Sequence, residues 1–438
     1  MRNRRRRSGV STGTVATLII LVLVAAGSAI LFPKLLGHVE QRVSPQQVGV
    51  AIEGSFSAFS GSVLRQQATA APTAEAQVTA PPAVTETPQQ TATPVPDSRL
   101  TITAAGELSF DEKIQSACET DAGYDFDFYF EQIKSRLTGD INLATLQNLV
   151  LPGETLSDIN MPAAAVSAVA DAGFNVLCTG FYGALNGGVD GLSATLGLIE
   201  QNGMLPYGAY LSQEQRNHVA SMEIGGVKVA FLSFQAELSS AGKKATTKEE
   251  QAYVFAQLTL PVITADIAAA REAGAGVVVV SLCWGAQDAT EPTKLQTEMA
   301  QGIADAGADI ILGTNPGVLQ KVSILSSTDA DGNQRQTLCA YSLGSIINSD
   351  RRNREVITSV LLHINLRCNP DTRELTFESI TYTPVYIWRG SDDGKTTYQP
   401  VIANADPPAG MNQNQQEIMG RALDDIRDIF ENSLIEER

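Results

Sequence analysis

The chain has 438 residues, 43% of them hydrophobic and 18% charged, and a formal charge of −17. A surface this acidic repels phosphate backbones, which argues against nucleic acid as a partner. Five cysteines (Cys118, Cys178, Cys283, Cys339 and Cys368) with no CxxC pair read neither as a disulfide framework nor as a zinc knuckle.

The first segment, 1–12, is a basic head carrying Arg2, Arg4, Arg5, Arg6 and Arg7. An uncharged apolar run from Thr14 to Phe32 follows. It is close to the roughly 20 residues a helix needs to cross a bilayer. Arginines before it and few after it predict a cytoplasmic N-terminus and a single-pass anchor over 13–33. The alternative is a cleaved signal peptide, because Ala25, Ala26, Gly27, Ser28 and Ala29 are small enough for a peptidase. In either case the bulk of the chain is expected outside the cytoplasm, and the uncleaved anchor would attach it to the cell membrane. Residues 34–97 read as a stalk, disordered from about 68, where Ala, Thr, Pro and Gln prevail and aromatic residues, Lys and Arg are missing.

Globular sequence begins near Ser98. Leu100–Ala105 reads as a strand, Ala163–Ala172 as a helix ended by Gly173, and Asn175–Thr179 as a buried strand. Leu192–Asn202 reads as a helix stopped by Gly203, and Val227–Phe234 as a strand. Ile263–Ala273 is a predicted helix, Val277–Cys283 a central β-branched strand, Leu295–Ala306 a helix closed by Gly307, and Asp309–Leu312 a further strand. Thr337 to Arg389 is richer in β signals, and Asn412–Ile435 has helical apolar spacing. The alternation predicts an α/β layered domain over 98–400 with a C-terminal helix in 401–438. In open α/β sheets ligands gather at the carboxyl ends of strands, so the residues following each strand are where chemistry is sought.

Those segments resemble the CapA-type poly-γ-glutamate capsule-synthesis family. The most specific match is Leu295–Gln320, LQTEMAQGIADAGADIILGTNPGVLQ, supported by VVVVSLCWG ending at Gly285, YSLGS at Tyr341–Ser345 and GFNVLCTG at Gly173–Gly180. The resemblance spans roughly Leu100 to Trp388. It implies a calcineurin-like metallophosphatase fold, a layered β-sandwich flanked by helices. It also implies a set of metal-ligand motifs, from which this chain departs. The family's Gly-Asp is here Gly106 and Glu107, and its Asn-Leu-Glu is Thr145, Leu146 and Gln147. Its Asn-Asn-His with a later Asp becomes Phe181, Tyr182, Gly183 and Asn186. His-Trp-Gly becomes Cys283, Trp284 and Gly285, and Gly-His-His-Pro-His becomes Gly313, Thr314, Asn315, Pro316 and Gly317.

Two divalent cations about 3.5–4 Å apart need several imidazoles and carboxylates to offset their charge. The chain has three histidines, His38, His218 and His363, and none falls on a matching position. The expectation is therefore a domain with no metal cofactor that binds or scaffolds instead of hydrolysing, with weak Mg²⁺ or Ca²⁺ binding left open. The rival expectation is a hydrolase rewired around Glu107, Asp111, Gln147 and Asn315. A third is a purely structural surface protein.

Glu107 reads either as a surviving ligand or base, or as a polar strand end; Asp111 reads either as its helper or as a helix N-terminal carboxylate. Cys283 reads as a nucleophile only if a base lies nearby, and otherwise as an inert buried thiol. It is also a candidate disulfide partner of Cys178. Phe181, Tyr182 and Trp284 are expected to fill the former metal cavity or to line an apolar groove, with Asn186, Asn315 and Asn348 as a neutral polar rim. Gln147 and Thr314 are further binding candidates. The basic run Arg351, Arg352 and Arg354 reads as a solvated loop, or as a contact for an acidic polymer. The partners this implies are the membrane, an anionic envelope polymer or membrane-bound synthesis machinery.

Overall fold

A computed structural model describes residues 96–438 apart from 330, 331, 393, 432 and 434. The predicted anchor, the stalk and His38 lie outside the described residues. No described helix is long and apolar enough to cross a membrane.

Two mixed sheets face each other. The larger runs in the order Lys395–Ile402, Leu375–Asp392, Thr358–Cys368, Ser98–Leu108, Ile141–Leu146, Val176–Cys178, Leu205–Tyr207. From Ser98–Leu108 onward in that order, neighbouring strands are parallel. The smaller sheet runs Val322–Thr328, Gln334–Ala340, Ile310–Thr314, Val277–Cys283, Val227–Gln235, Ala220–Ile224, with its four middle strands parallel. Parallel strands need crossovers, and here helices supply them. Ala164–Ala172, Gly188–Gln201, Leu260–Glu272 and Lys294–Asp305 each return the chain to the start of the next parallel strand.

Period-two alternation sorts the side chains. Leu100, Ile102, Val229, Val279, Ile310 and Leu362 point inward and make one core between the sheets. The intervening residues Val278, Val280 and Ile311 face outward and pack under Ile263, Ile267 and Ile303 of two helices. On the far side, Phe110, Phe126, Tyr129, Phe130 and Val166 cover the larger sheet. The result is helix, sheet, sheet, helix: an α/β layered domain as the alternation predicts, with the two-sheet arrangement that the resemblance implies. The C-terminal helix, Gln413–Phe430, is not peripheral. Its Ile426 and Phe430 enter the core between the sheets, and Phe430 stacks on Tyr382 at 4.0 Å.

Two glycines permit the strand crossings next to the site. A Cβ on Gly106 would lie 2.0 Å from the carbonyl oxygen of Gly344, and one on Gly313 would lie 1.9 Å from that of Tyr341. Both positions need a residue without a side chain because two backbones meet there.

Candidate functional site

Following the inward-facing register to the carboxyl end of each parallel strand predicts which side chains converge. On the larger sheet Leu100, Ile102 and Ala104 lead, through an irregularity between Ala104 and Glu107, to Glu107. Ile141 and Leu143 lead to Thr145, and Val176 leads to Cys178. On the smaller sheet Val229 and Phe231 lead to Ser233 and Gln235, Val279 leads through Ser281 to Cys283, and Ile310 and Leu312 lead to Thr314. One carboxyl thus stands among hydroxyls, thiols and a carboxamide.

The two sheets meet at Glu107. Its Oε1 accepts from the Thr314 hydroxyl at 2.7 Å and from the backbone N–H of Asn315 at 2.5 Å. Asn315 has φ of 91°, which turns the loop so that its amide faces the carboxyl, and its side-chain amide donates to the Gly285 carbonyl at 2.8 Å. Gln147 donates to the Thr314 hydroxyl at 3.3 Å. Burial raises the pKa of Glu107, and the hydrogen bonds from Thr314 and Asn315 oppose that rise without cancelling it. No cationic side chain is among the groups that shift it.

Other candidates have different employment. Asp111 is the N-cap of Glu112–Cys118, accepting from the amides of Lys113 and Ile114, and also from Ser349 at 3.0 Å. Its carboxylate is a cap and does not join Glu107. Cys283 is buried, and burial, with the Glu107 carboxyl adding, pushes its thiol up to about 12. Neither described histidine supplies a base. His363 sits between the hydroxyls of Thr103 and Thr383, with its pKa lowered to about 4 by burial, and His218 closes the short helix Gln213–Asn217. All five cysteines are free and buried, so Cys178 and Cys283 are not bridged. Cys178 instead donates to Ser233 at 3.3 Å, and nearby the Tyr207 hydroxyl pairs with Ser281 at 2.7 Å.

Phe181 is buried in an apolar cluster with Leu149, Leu185 and Leu192. Tyr182 is 47% exposed at the rim of a cleft. Asn186 accepts from the Ser239 hydroxyl. Trp284 donates to the Tyr341 carbonyl at 3.0 Å and stacks on the Tyr341 ring, so its primary role is packing. Asn348 bonds the Ser345 and Val356 carbonyls and is no part of a rim with Asn315.

The basic run has partners on three elements. Arg352 is paired with Asp288 at 3.0 Å and with Asp350 at 2.5 Å. Arg354 pairs with Asp425 of the C-terminal helix. Arg351 lies over the Tyr398 ring at 4.9 Å and donates to the Ile387 carbonyl at 3.1 Å. Each guanidinium has partners within the chain, and the side chains of Arg352 and Arg354 stay 59% and 47% exposed.

Sequence reasoning passed over Gln235. It is 2% exposed, and neither its carbonyl oxygen nor its amide nitrogen has a partner among the described residues. Counting by twos from Val227 places it in the crevice, so the signal was available.

Among the described residues no three His, Cys, Asp or Glu side chains are grouped closely enough to hold a metal ion. The donor chemistry agrees with that geometry. Glu107 supplies the one carboxyl, it already faces hydroxyl and amide donors, and its neighbours are neutral. This set does not fit a pair of divalent cations.

The model of the family described as "Bacterial capsule synthesis protein PGA_cap" matches residues 101–350. The chain is 27% identical over 187 residues to "PGA biosynthesis protein CapA" of Bacillus subtilis, covering 42% of this chain and 45% of that protein. It is 26% identical over 285 residues to "Capsule biosynthesis protein CapA" of Bacillus anthracis, covering 62% and 65%. In both cases the match spans less than two thirds of the relative. Among solved structures, the Haemophilus influenzae NAD nucleotidase matches with a TM-score of 0.41 and 12% identity, covering 78% of this chain and 58% of that one. The calcineurin-like phosphoesterase YfkN of Bacillus subtilis matches with 0.38 and 12%, covering 77% and 100%. Likenesses at that level carry no information about the site.

Proposed function

The chain belongs to the bacterial capsule synthesis protein family, PGA_cap, and from that premise we propose that it serves capsule or envelope polymer synthesis as a binding or scaffolding domain, not as a metallohydrolase. It works outside the cytoplasm, held at the membrane by the apolar run Thr14–Phe32. Its place in polymer synthesis follows from the family and from the names of the two Bacillus relatives.

The observation that carries the non-catalytic reading is the state of Glu107. An acid poised to ligate cations or to accept a proton from water needs its lone pairs directed at open space or at metal. Here an oxygen of Glu107 is held by Thr314 and Asn315, and burial favours the neutral acid. Cys283 is equally unsuited to nucleophilic work, since its thiol stays protonated at neutral pH and no base adjoins it.

The test is phosphoesterase turnover by the purified full chain on aryl phosphate mono- and diesters with added Mn²⁺. Wild type and Glu107→Ala are expected to give the same background rate. Turnover by wild type that disappears in Glu107→Ala would defeat the reading.

A further inference from the structure

A cleft of about 700 Å³ opens beside the strand tips, between the loop following Val277–Cys283 and the start of the helix Lys294–Asp305. That volume is in the range of small-molecule sites. Leu258, Met299, Leu295 and the ring of Tyr182 form an apolar part of its wall, and Glu237, Gln287 and Asn315 also line it. Leu295 is 70% exposed and Tyr182 47%. The third large exposed apolar residue, Leu260, packs beside Gly302 of the same helix. Two of the three large exposed apolar side chains of the described residues, Leu295 and Tyr182, therefore line this cleft.

The inner end of the cleft is polar in a specific way. Thr293 and Gln296 form a capping box, with the Gln296 carbonyl oxygen accepting from the Thr293 amide at 3.0 Å. That bond fixes the carboxamide. Its nitrogen is left buried with no acceptor among the described residues, although Gln296 is only 5% exposed and lines the cleft. The first amides of the helix, at Lys294 and Leu295, have no acceptor inside the helix either, and the helix start is electropositive. Glu237 also lines the cleft, and its carboxylate is paired with Lys243 at 2.7 Å. An unused donor backed by a helix start and walled by apolar and aromatic side chains selects a ligand with an apolar body and an anionic acceptor head.

We propose that this cleft binds a small aryl or similarly apolar monocarboxylate, its carboxylate facing the Gln296 amide and its body between Tyr182, Leu295 and Met299. Tyr182 and Met299 favour a planar ring through edge and sulfur contacts. This deepens the binding reading above and rests on it.

The probe is 1-naphthoate, with 1-naphthylmethylammonium as control, in equilibrium dialysis against the full chain in zwitterionic nanodiscs, corrected with empty nanodiscs. Naphthoate is expected to bind saturably with one site per chain, and the ammonium analogue about tenfold more weakly or less. Gln296→Glu retains the acceptor that makes the capping box, so the helix start persists, but it replaces the donor by a carboxylate. It should weaken naphthoate by about tenfold or more, and Leu295→Asp should do the same. Absence of saturable binding, equal binding of the ammonium analogue, or unchanged affinity in Gln296→Glu would each overturn the site. None of these outcomes bears on phosphoesterase turnover, so the site and the non-catalytic reading fail separately.

Discussion

A buried carboxyl lies at each end of the strand Ile310–Thr314, Asp309 preceding it in the chain and Glu107 reaching its far end from the other sheet, and the two are treated in opposite ways. Asp309, just before the strand, receives Arg271 at 2.5 Å, Arg335 at 2.7 Å and the Val278 amide at 2.7 Å. Glu107, at the far end, receives a hydroxyl and a backbone amide and no cation. The first arrangement ties a helix, a strand edge and the sheet together through full charges. The second leaves an acid that burial holds toward neutrality. The difference teaches that the Ala-Gly-Ala-Asp stretch ending at Asp309, the most recognisable stretch of the chain, belongs to the scaffold. At the strand tips the buried acid has neutral partners only.

The strongest way to break this comparison is Asp309→Ala. Removing the acid strands two guanidiniums and one amide, and the loss is expected to be about 3 kcal/mol or more in urea unfolding of the domain. A loss below about 1 kcal/mol would mean that the paired end is no more structural than the unpaired one.

Glu107→Gln sharpens the other side. The native pKa of Glu107 is raised, so the folded state holds its proton at pH values where the unfolded chain has released it. Stability from this group is therefore fully present below the ordinary carboxyl value of 4.5 and declines as pH rises through the raised native value. The slope is at most about 1.4 kcal/mol per pH unit. The carboxamide introduced by Glu107→Gln would keep an acceptor for Thr314 and Asn315 and lose that slope. Parallel stability-versus-pH curves for wild type and Glu107→Gln would show that the acid is not forced toward neutrality.

The smallest effect is expected at Arg352. Its two ion pairs are exposed, and Arg352→Ala should cost under about 1 kcal/mol and little retention on an anionic polymer column. Complete loss of retention would restore the basic run as a binding surface.

Much of the fold was legible because it rests on local signals. The β-branched run Val277–Cys283 is a strand over its whole length, and Gly173, with φ of 110°, ends its helix as predicted. The layered α/β class followed from the alternation of strands with helices. What was not legible depends on residues far apart in sequence. Arg271, Arg335 and Asp309 meet only after two crossovers, and Asp425 reaches Arg354 only because the C-terminal helix folds back against Leu375–Asp392 and Thr358–Cys368. The site was half legible. Aligned motifs identified Glu107, Thr314 and Asn315 but could not show that the loop donates to the acid. The register places Gln235 in the crevice, but that it and Gln296 carry unpaired carboxamide atoms becomes visible only once their surroundings are in place.

Metal analysis of the purified full chain, after incubation with Mn²⁺, Zn²⁺ and Fe²⁺ and removal of free ions, tests the central claim most directly. With one hydrogen-bonded carboxyl and no imidazole at the strand tips, the chain should retain well under one transition-metal ion per molecule. Retention close to two ions per molecule, abolished by Glu107→Ala, would contradict the account.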